Sequence, residues 1–387
     1  MAYREIAFVR EPLRKALTLL SIVAPVRPLV GPARVTVEAS TRCNFRCLMC
    51  PHYSPLVDKG ERAKTDFIDV DLAGRVFVSA AQMGAKIVSF SGRGEPLLHP
   101  DFAHIVRRAR SCNLQTEVFT NGSLLTESRI EELIDARLTT LGVSLVGASP
   151  EGYARYHPGT TSDRFQSVVE SLSLLKRLKE RAGVRQPMLD LRFIAMSGSH
   201  LDVEKMVDLG IQVGADRLGL MPLRNRSSGE IGSLALSYDE ENLAVERLRH
   251  LTPRVARLGL KTNVDELIVF HKFGATSHEF PCYAAWFDTR VLVDGTVEFC
   301  VRCHRPLGNV NECSLKEIWL DPEYEILRNV ARNASERSRL GECDCNRCCH
   351  FYSNWRITAF LSKFGFASQI KDAGNGRSKS MLAGGNG

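Results

Sequence analysis

The sequence predicts an α/β protein: a parallel sheet wrapped by helices, followed by a smaller cysteine-rich domain. Three observations carry this. Short apolar strands alternate with amphipathic helices six times between Val35 and Pro222, and strands separated by helices of that length imply βαβ units and parallel pairing. Six units fall short of the eight that close a full barrel. Most of the twelve cysteines gather either near residue 45 or beyond residue 281. That pattern suits metal ligands in a reducing compartment better than a disulfide framework, so a cytoplasmic protein is expected.

The 387 residues suit a barrel with an appendage. The net charge of +7 is modest, and apart from Arg4, Arg10, Arg14, Lys15 and Arg27 the basic residues are scattered, so no nucleic-acid partner is expected. The apolar run Ala16 to Ala24 is too short to span a bilayer. No small-residue cleavage site follows it, which argues against a signal peptide. A helix packed on the barrel is expected there, with contact to a membrane surface as the lesser alternative. The expected divisions are an amino-terminal helix over 1–33, a barrel over 34–260, an auxiliary domain over 261–356, and a helix with a disordered, glycine-rich tail over 357–387.

Strands are placed near Val35 to Ala39, Lys86 to Ser91, Gln115 to Thr120, Thr140 to Val146, Met188 to Met196 and Arg217 to Pro222. Helices fall near Val70 to Met83, Asp101 to Cys112, Thr126 to Ala136, Phe165 to Arg181 and Asp202 to Val213, with a closing helix from Tyr238 to about Leu258 after the loop Arg224 to Gly229. The aliphatic alternates of each strand should face the helices, which turns Glu38, Ser89, Ser91, Glu117, Ser144, Asp190 and Arg192 inward. So polar a lumen predicts a wet cavity for a charged, hydroxylated ligand; structural ion pairs among Asp190 and Arg192 are the plainer alternative.

After the first strand comes Cys43-x3-Cys47-x2-Cys50. Three close thiolates leave a tetrahedral zinc site one ligand short, with His52 the only neighbour able to complete it. A cluster held by three cysteines instead keeps one iron open. With the apolar Met49 before the third cysteine, this stretch resembles the radical S-adenosylmethionine (radical SAM) enzymes. The resemblance implies an open, partial (β/α)6 TIM-like barrel and a 4Fe-4S cluster on Cys43, Cys47 and Cys50 whose open iron chelates SAM. It also implies reductive cleavage of SAM to a 5'-deoxyadenosyl radical that abstracts hydrogen from substrate. Ser91-Gly92-Arg93-Gly94-Glu95-Pro96 is similar to the family's glycine-rich segment that meets the SAM amino group, with Arg93 in place of the commoner glycine. Thr120-Asn121-Gly122 has a turn form common in the family, and Ser144 matches a position that often contacts SAM, although Val146 stands where an acid is more usual. Gly92, Gly94, Glu95, Asn121, Ser144 and Arg192 are therefore the expected SAM-binding residues.

The second domain opens at Pro281 with Cys282, a strand pair over Thr289 to Val293 and Thr296 to Cys300 across the Asp294-Gly295 turn, and helical residues 315 to 331. The spacing Cys282-x12-Gly295-x4-Cys300 resembles the SPASM and twitch domains, auxiliary iron-sulfur extensions of radical SAM enzymes. Ligand counting on that resemblance favours one auxiliary 4Fe-4S cluster on Cys282, Cys300, Cys345 and Cys348. Cys303, Cys313, Cys343 and Cys349 are left over, which keeps a second cluster or a shuffled ligand set open.

A close cysteine pattern occurs in an aminocyclitol dehydrogenase of this family. The first expectation is therefore a radical SAM oxidoreductase acting on a small sugar-like or aminocyclitol substrate, supplied with electrons by a reductase, flavodoxin or ferredoxin. The alternatives are a maturase that modifies a peptide and, without catalysis, an iron-sulfur or zinc scaffold.

Overall fold

The computed structural model describes residues 11–24, 27–57, 65–223, 230–273, 280–334, 336, 340, 343 and 348–366. Arg4, Arg10, the loop 224–229, Cys345 and the tail from 373 lie outside the described residues.

In chain order the elements are α1 (Glu11–Val23), β1 (Arg34–Val37), α2 (Val70–Gln82), β2 (Ile87–Phe90), α3 (Phe102–Ser111), β3 (Gln115–Thr120), α4 (Glu127–Asp135), β4 (Thr140–Leu145), α5 (Pro150–Tyr156), α6 (Ser162–Ala182), β5 (Met188–Ala195), α7 (Val203–Gln212), β6 (Arg217–Pro222), α8 (Tyr238–Arg257), β7 (Lys261–Thr262) and α9 (Val264–Phe273). There follow β8 (Asp288–Val291), β9 (Val297–Glu298), α10 (Leu315–Trp319), α11 (Pro322–Arg332) and α12 (Phe351–Lys363). The strands form an open nine-stranded sheet in the order β7-β6-β5-β4-β3-β2-β1-β8-β9. Pairing is parallel from β3 through β7 and antiparallel between β8 and β9. The six expected barrel strands and the six expected helices, the closing helix included, are present with ends shifted by a few residues at most. The additions are β7, α5 and α9. Helix α5 begins at Pro150 with Ser149 as its cap, the Ser149 hydroxyl accepting from Gly152 N at 3.1 Å. Proline is favoured in a first turn because its missing N–H would have no partner there.

The chain clusters into two compact units. One comprises 37–74 and 88–271 and holds most of the parallel strands with their helices. Its core holds the apolar side of the strands, with Val88, Val118, Leu141, Val143 and Leu191 fully buried, and the buried helical residues Leu72, Ala73, Ile105 and Leu172.

The other unit comprises 1–36, 75–87 and 272–387. Within it α1 docks through hydrogen bonds from Trp286 Nε1 to Ser21 O at 3.2 Å and from Arg332 Nη1 to Ile22 O at 3.1 Å. The first helix thus packs with the carboxyl-terminal elements, where packing on the barrel was expected. Arg14 is no surface cation: it is 4% exposed and donates to Gly84 O and Gly31 O at 3.2 and 2.8 Å. Among the described residues no helix is long and apolar enough to cross a membrane.

Candidate active site

The cysteine loop leaves β1 through Ala39 and Ser40 and is fixed by its own backbone. Phe45 N donates to Cys43 Sγ at 3.5 Å, and His52 N and Tyr53 N donate to Cys50 Sγ at 3.4 and 3.3 Å. N–H donors aimed at a sulfur favour its thiolate form, the form that binds metal. His52, the candidate fourth zinc ligand, contributes a backbone amide here. Without metal, burial pushes the Cys43 thiol up to about 11 and the Cys47 thiol up to about 12, with the neighbouring thiols adding to both shifts. Three half-buried thiols held this close are a donor set suited to a cation, and they fit a cluster with three cysteine ligands.

Behind the loop, Met49 and Leu48 pack against a buried cluster of Val146, Tyr156 and Met196. Leu48 N also donates to Tyr156 O at 3.0 Å. This explains Val146: where an acid is more usual, this chain needs an apolar seat for the cysteine loop. Phe45 meets Tyr153 and His157 edge-on, with centroids 6.4 and 5.2 Å away. The His157 ring is buried and its Nδ1 lies 2.7 Å from Tyr153 O, with burial pushing its pKa down, so it serves as a neutral packing group.

The glycine-rich segment packs directly on the root of this loop. A Cβ on Gly92 would stand 2.6 Å from Glu38 Cγ, and one on Gly94 would stand 2.6 Å from Ser40 O. The glycines were expected to admit ligand; what they demonstrably admit is the neighbouring chain. Glu95 N donates to Arg42 O at 2.7 Å. The Glu95 side chain, 3% exposed, accepts from Thr120 Oγ1 at 2.7 Å, Asn121 N at 2.8 Å and Leu97 N at 3.1 Å. Burial pushes its carboxyl up against those three bonds. Glu95 is therefore the tie between the second and third strand ends, a task its place in a glycine motif did not foretell.

Asn121 bonds the cysteine loop: its Nδ2 donates to Asn44 Oδ1 at 2.9 Å, while Asn44 Nδ2 donates to Ser123 Oγ at 2.8 Å. Asn44 and Ser123 were not singled out from sequence, and only their positions inside two marked segments could have drawn attention to them.

The charged residues of the strands are largely occupied with one another. Arg93 binds the buried Glu38 carboxylate through its backbone N, Nε and Nη2 at 2.8, 2.9 and 2.5 Å. Arg192 pairs with Asp190 Oδ2 at 3.3 Å and lies over the Phe119 ring, 3.8 Å from its centroid. Ser144 is half-buried in register with Arg192. Asp190 and Arg192 thus form an ion pair with each other.

In the carboxyl-terminal unit the β8–β9 hairpin has Arg290 opposite Glu298 and Val291 opposite Val297. Cys300 Sγ, Cys349 Sγ and a ring nitrogen of His350 lie within 4.8 Å of one another. Cys303 lies beside Cys343, their Cα atoms 4.0 Å apart, and pairs through the backbone with both Cys343 and Cys300. Cys348 accepts from Asn354 Nδ2 at 3.6 Å, and Asn354 Oδ1 accepts from Tyr283 N beside Cys282 at 2.9 Å. Of the expected ligands, Cys300 stands in the three-residue group, Cys282 and Cys348 lie on either side of Asn354, and Cys345 is outside the described residues. The thiols gathered here fit an auxiliary iron-sulfur centre by donor chemistry.

A triad of cysteines on a loop after the first of several parallel strands, tied to glycine and asparagine turns after the second and third, defines a class of iron-sulfur enzyme. The sequence model of the radical SAM superfamily matches residues 37–184 and that of the SPASM iron-sulfur cluster-binding domain matches residues 282–349. The chain belongs to the radical SAM superfamily, with a SPASM domain at its carboxyl side and hence a SAM-binding 4Fe-4S cluster and auxiliary iron-sulfur.

A curated relative, the tungsten-containing aldehyde ferredoxin oxidoreductase cofactor-modifying protein of Pyrococcus furiosus, is 25% identical over 330 residues, 81% of this chain and 88% of its own length. The PqqA peptide cyclase of Ruegeria pomeroyi is 27% identical over 197 residues, 50% of this chain and 48% of its own, so that match spans about half of that relative. Among solved structures, SuiB of Streptococcus suis bound to SAM superposes with a TM-score of 0.58 at 18% identity, covering 78% of this chain and 68% of that one. The enzyme anSMEcpe with bound SAM gives 0.61 at 17%, covering 88% and 100%. At these identities the structures establish the fold.

Proposed function

We propose that this radical SAM enzyme is a maturase that modifies a peptide or a protein-borne substrate. The observation that carries the proposal is the pair of curated relatives: one is named for modifying a protein's cofactor and aligns over most of both chains, and the other is named for cyclising a peptide. The sugar-like substrate expected first rested on a polar lumen, and that support weakens where Glu38 is engaged by Arg93 and Asp190 by Arg192.

Cys43, Cys47 and Cys50 hold the SAM-binding cluster in this reading. When bound, cluster and SAM supply a carbon-centred radical able to take hydrogen from an unactivated carbon. The chain's own residues fix where that happens. Amides of residues 45, 52 and 53 orient two of the thiolates, and Met49 anchors the loop on Val146, Tyr156 and Met196. Gly92, Gly94, Glu95, Asn121 and Ser144 belong to the adjoining strand ends, where we place SAM, with Arg192 beside Ser144 on β5. Reduced flavodoxin or ferredoxin is the electron donor this chemistry calls for.

The test is to incubate the anaerobically reconstituted protein with SAM and dithionite, adding either short peptides encoded beside its gene or aminocyclitols. A peptide should accelerate 5'-deoxyadenosine release and emerge with a changed mass. Acceleration and product formation with an aminocyclitol alone would reverse the reading.

A further inference from the structure

The hairpin and the start of α12 bring together two thiols and an imidazole. Cys300 follows β9, and Cys349 and His350 form the turn that opens α12, with His350 at its amino-terminal cap position. Their donor atoms all lie within 4.8 Å of one another. The imidazole is aimed rather than loosely hung. Phe287 packs edge-on against the ring with centroids 5.5 Å apart, and Asp288 Oδ2 stands 4.0 Å from Nε2. At that distance the carboxylate makes no hydrogen bond to Nε2 but sets a negative charge beside the imidazole. Cys348, the neighbour that spacing selected, lies outside this three-residue group and accepts from Asn354 Nδ2.

We propose that His350 is a non-cysteine ligand of the auxiliary iron-sulfur centre, standing with Cys300 and Cys349. The SPASM match ends at Cys349, so the ligand lies one residue past the recognised domain. A neutral imidazole in place of a thiolate removes one negative charge from the centre, and histidine ligation raises the potential of iron-sulfur centres relative to all-cysteine ones. This inference concerns the auxiliary centre alone and stands or falls independently of the substrate.

The experiment uses the full-length chain with Cys43, Cys47 and Cys50 replaced by Ala, reconstituted so that only auxiliary iron remains, and grown with 15N-histidine. Pulsed EPR of the reduced centre should show a strong hyperfine coupling to a directly bound histidine nitrogen. That requires no change at His350 and so does not depend on a variant folding. His350→Ala should abolish the coupling, and His350→Cys should retain iron while shifting the midpoint potential downward. Cys349→Ala should lose auxiliary iron. A centre with no strong histidine coupling, a coupling that persists in His350→Ala, full iron retention in Cys349→Ala, or zinc in place of iron would each overturn the proposal.

Discussion

Phe119 and Arg192 meet face to face across Gly142: the guanidinium carbon sits 3.8 Å from the ring centroid, and the ring occupies the space a Cβ on Gly142 would need. In register, Phe119 lies beside Gly142 and Gly142 beside Asp190, so three strands contribute to one contact. Gly142→Ala should push the ring off its place and destabilise the protein by about 1–3 kcal/mol, the usual cost of overpacking. Denaturant melts of the variant measure this, and an unchanged midpoint would show that the stack yields without cost.

Arg93 departs from the family's glycine, and its partner Glu38 is fully buried. Removing one member of a buried ion pair typically costs about 3–5 kcal/mol, whereas neutralising both is much milder. Arg93→Gly should therefore lower the melting temperature clearly, and adding Glu38→Gln should recover much of the loss. A double variant as unstable as the single would mean that the pair is not the source of the effect.

Glu95→Ala should damage two things at once. Thr120 Oγ1, Asn121 N and Leu97 N would lose their shared acceptor, and buried donors left unsatisfied cost about 1–3 kcal/mol each. Equilibrium unfolding and SAM binding should both weaken. Weakened SAM binding with intact stability would assign the carboxylate to the ligand alone.

Replacing any one of Cys43, Cys47 and Cys50 by Ala should abolish 5'-deoxyadenosine release from SAM under reducing conditions, because two thiolates cannot hold a cluster with its open iron in place. Chromatographic assay of the nucleoside after anaerobic incubation decides it. Release at the wild-type rate from any of the three would remove that cysteine from the ligand set.

Cys303 is 1% exposed and is set by backbone bridges between Cys300 and Cys343, so its loss is not the harmless change that its surplus status in the sequence suggests; two thiols serving one centre should share the cost of its loss. Cys303→Ala and Cys343→Ala should each lower thermal stability by a similar amount, and the double variant should be no worse than either. Additive losses in calorimetry would show that the two residues act separately.

The barrel strands were legible because their alternation of aliphatic and polar residues is strong: β3 and β6 begin and end where the pattern places them. Helix α5 was missed because seven residues give too little periodicity, although Ser149-Pro150 was a usable start signal. The cysteine triad was legible from spacing alone. The ties of Glu95 and Asn121 to neighbouring loops were not, since they depend on which strands become neighbours. His350 escaped notice for a similar reason: beside a run of cysteines its own type carried little weight until the hairpin brought Cys300 to it.

Gly94 closes against the backbone of Ser40 and Arg42 so tightly that no side chain fits between them. The stretches around residues 40–50, 92–98 and 120–123 are consequently fitted to one another. A chimera that borrows another enzyme's cysteine loop while keeping this chain's glycine turn would join surfaces shaped for different neighbours. Transplanting all three together preserves the match, which makes the trio, rather than the cysteine loop alone, the smallest portable module of this site.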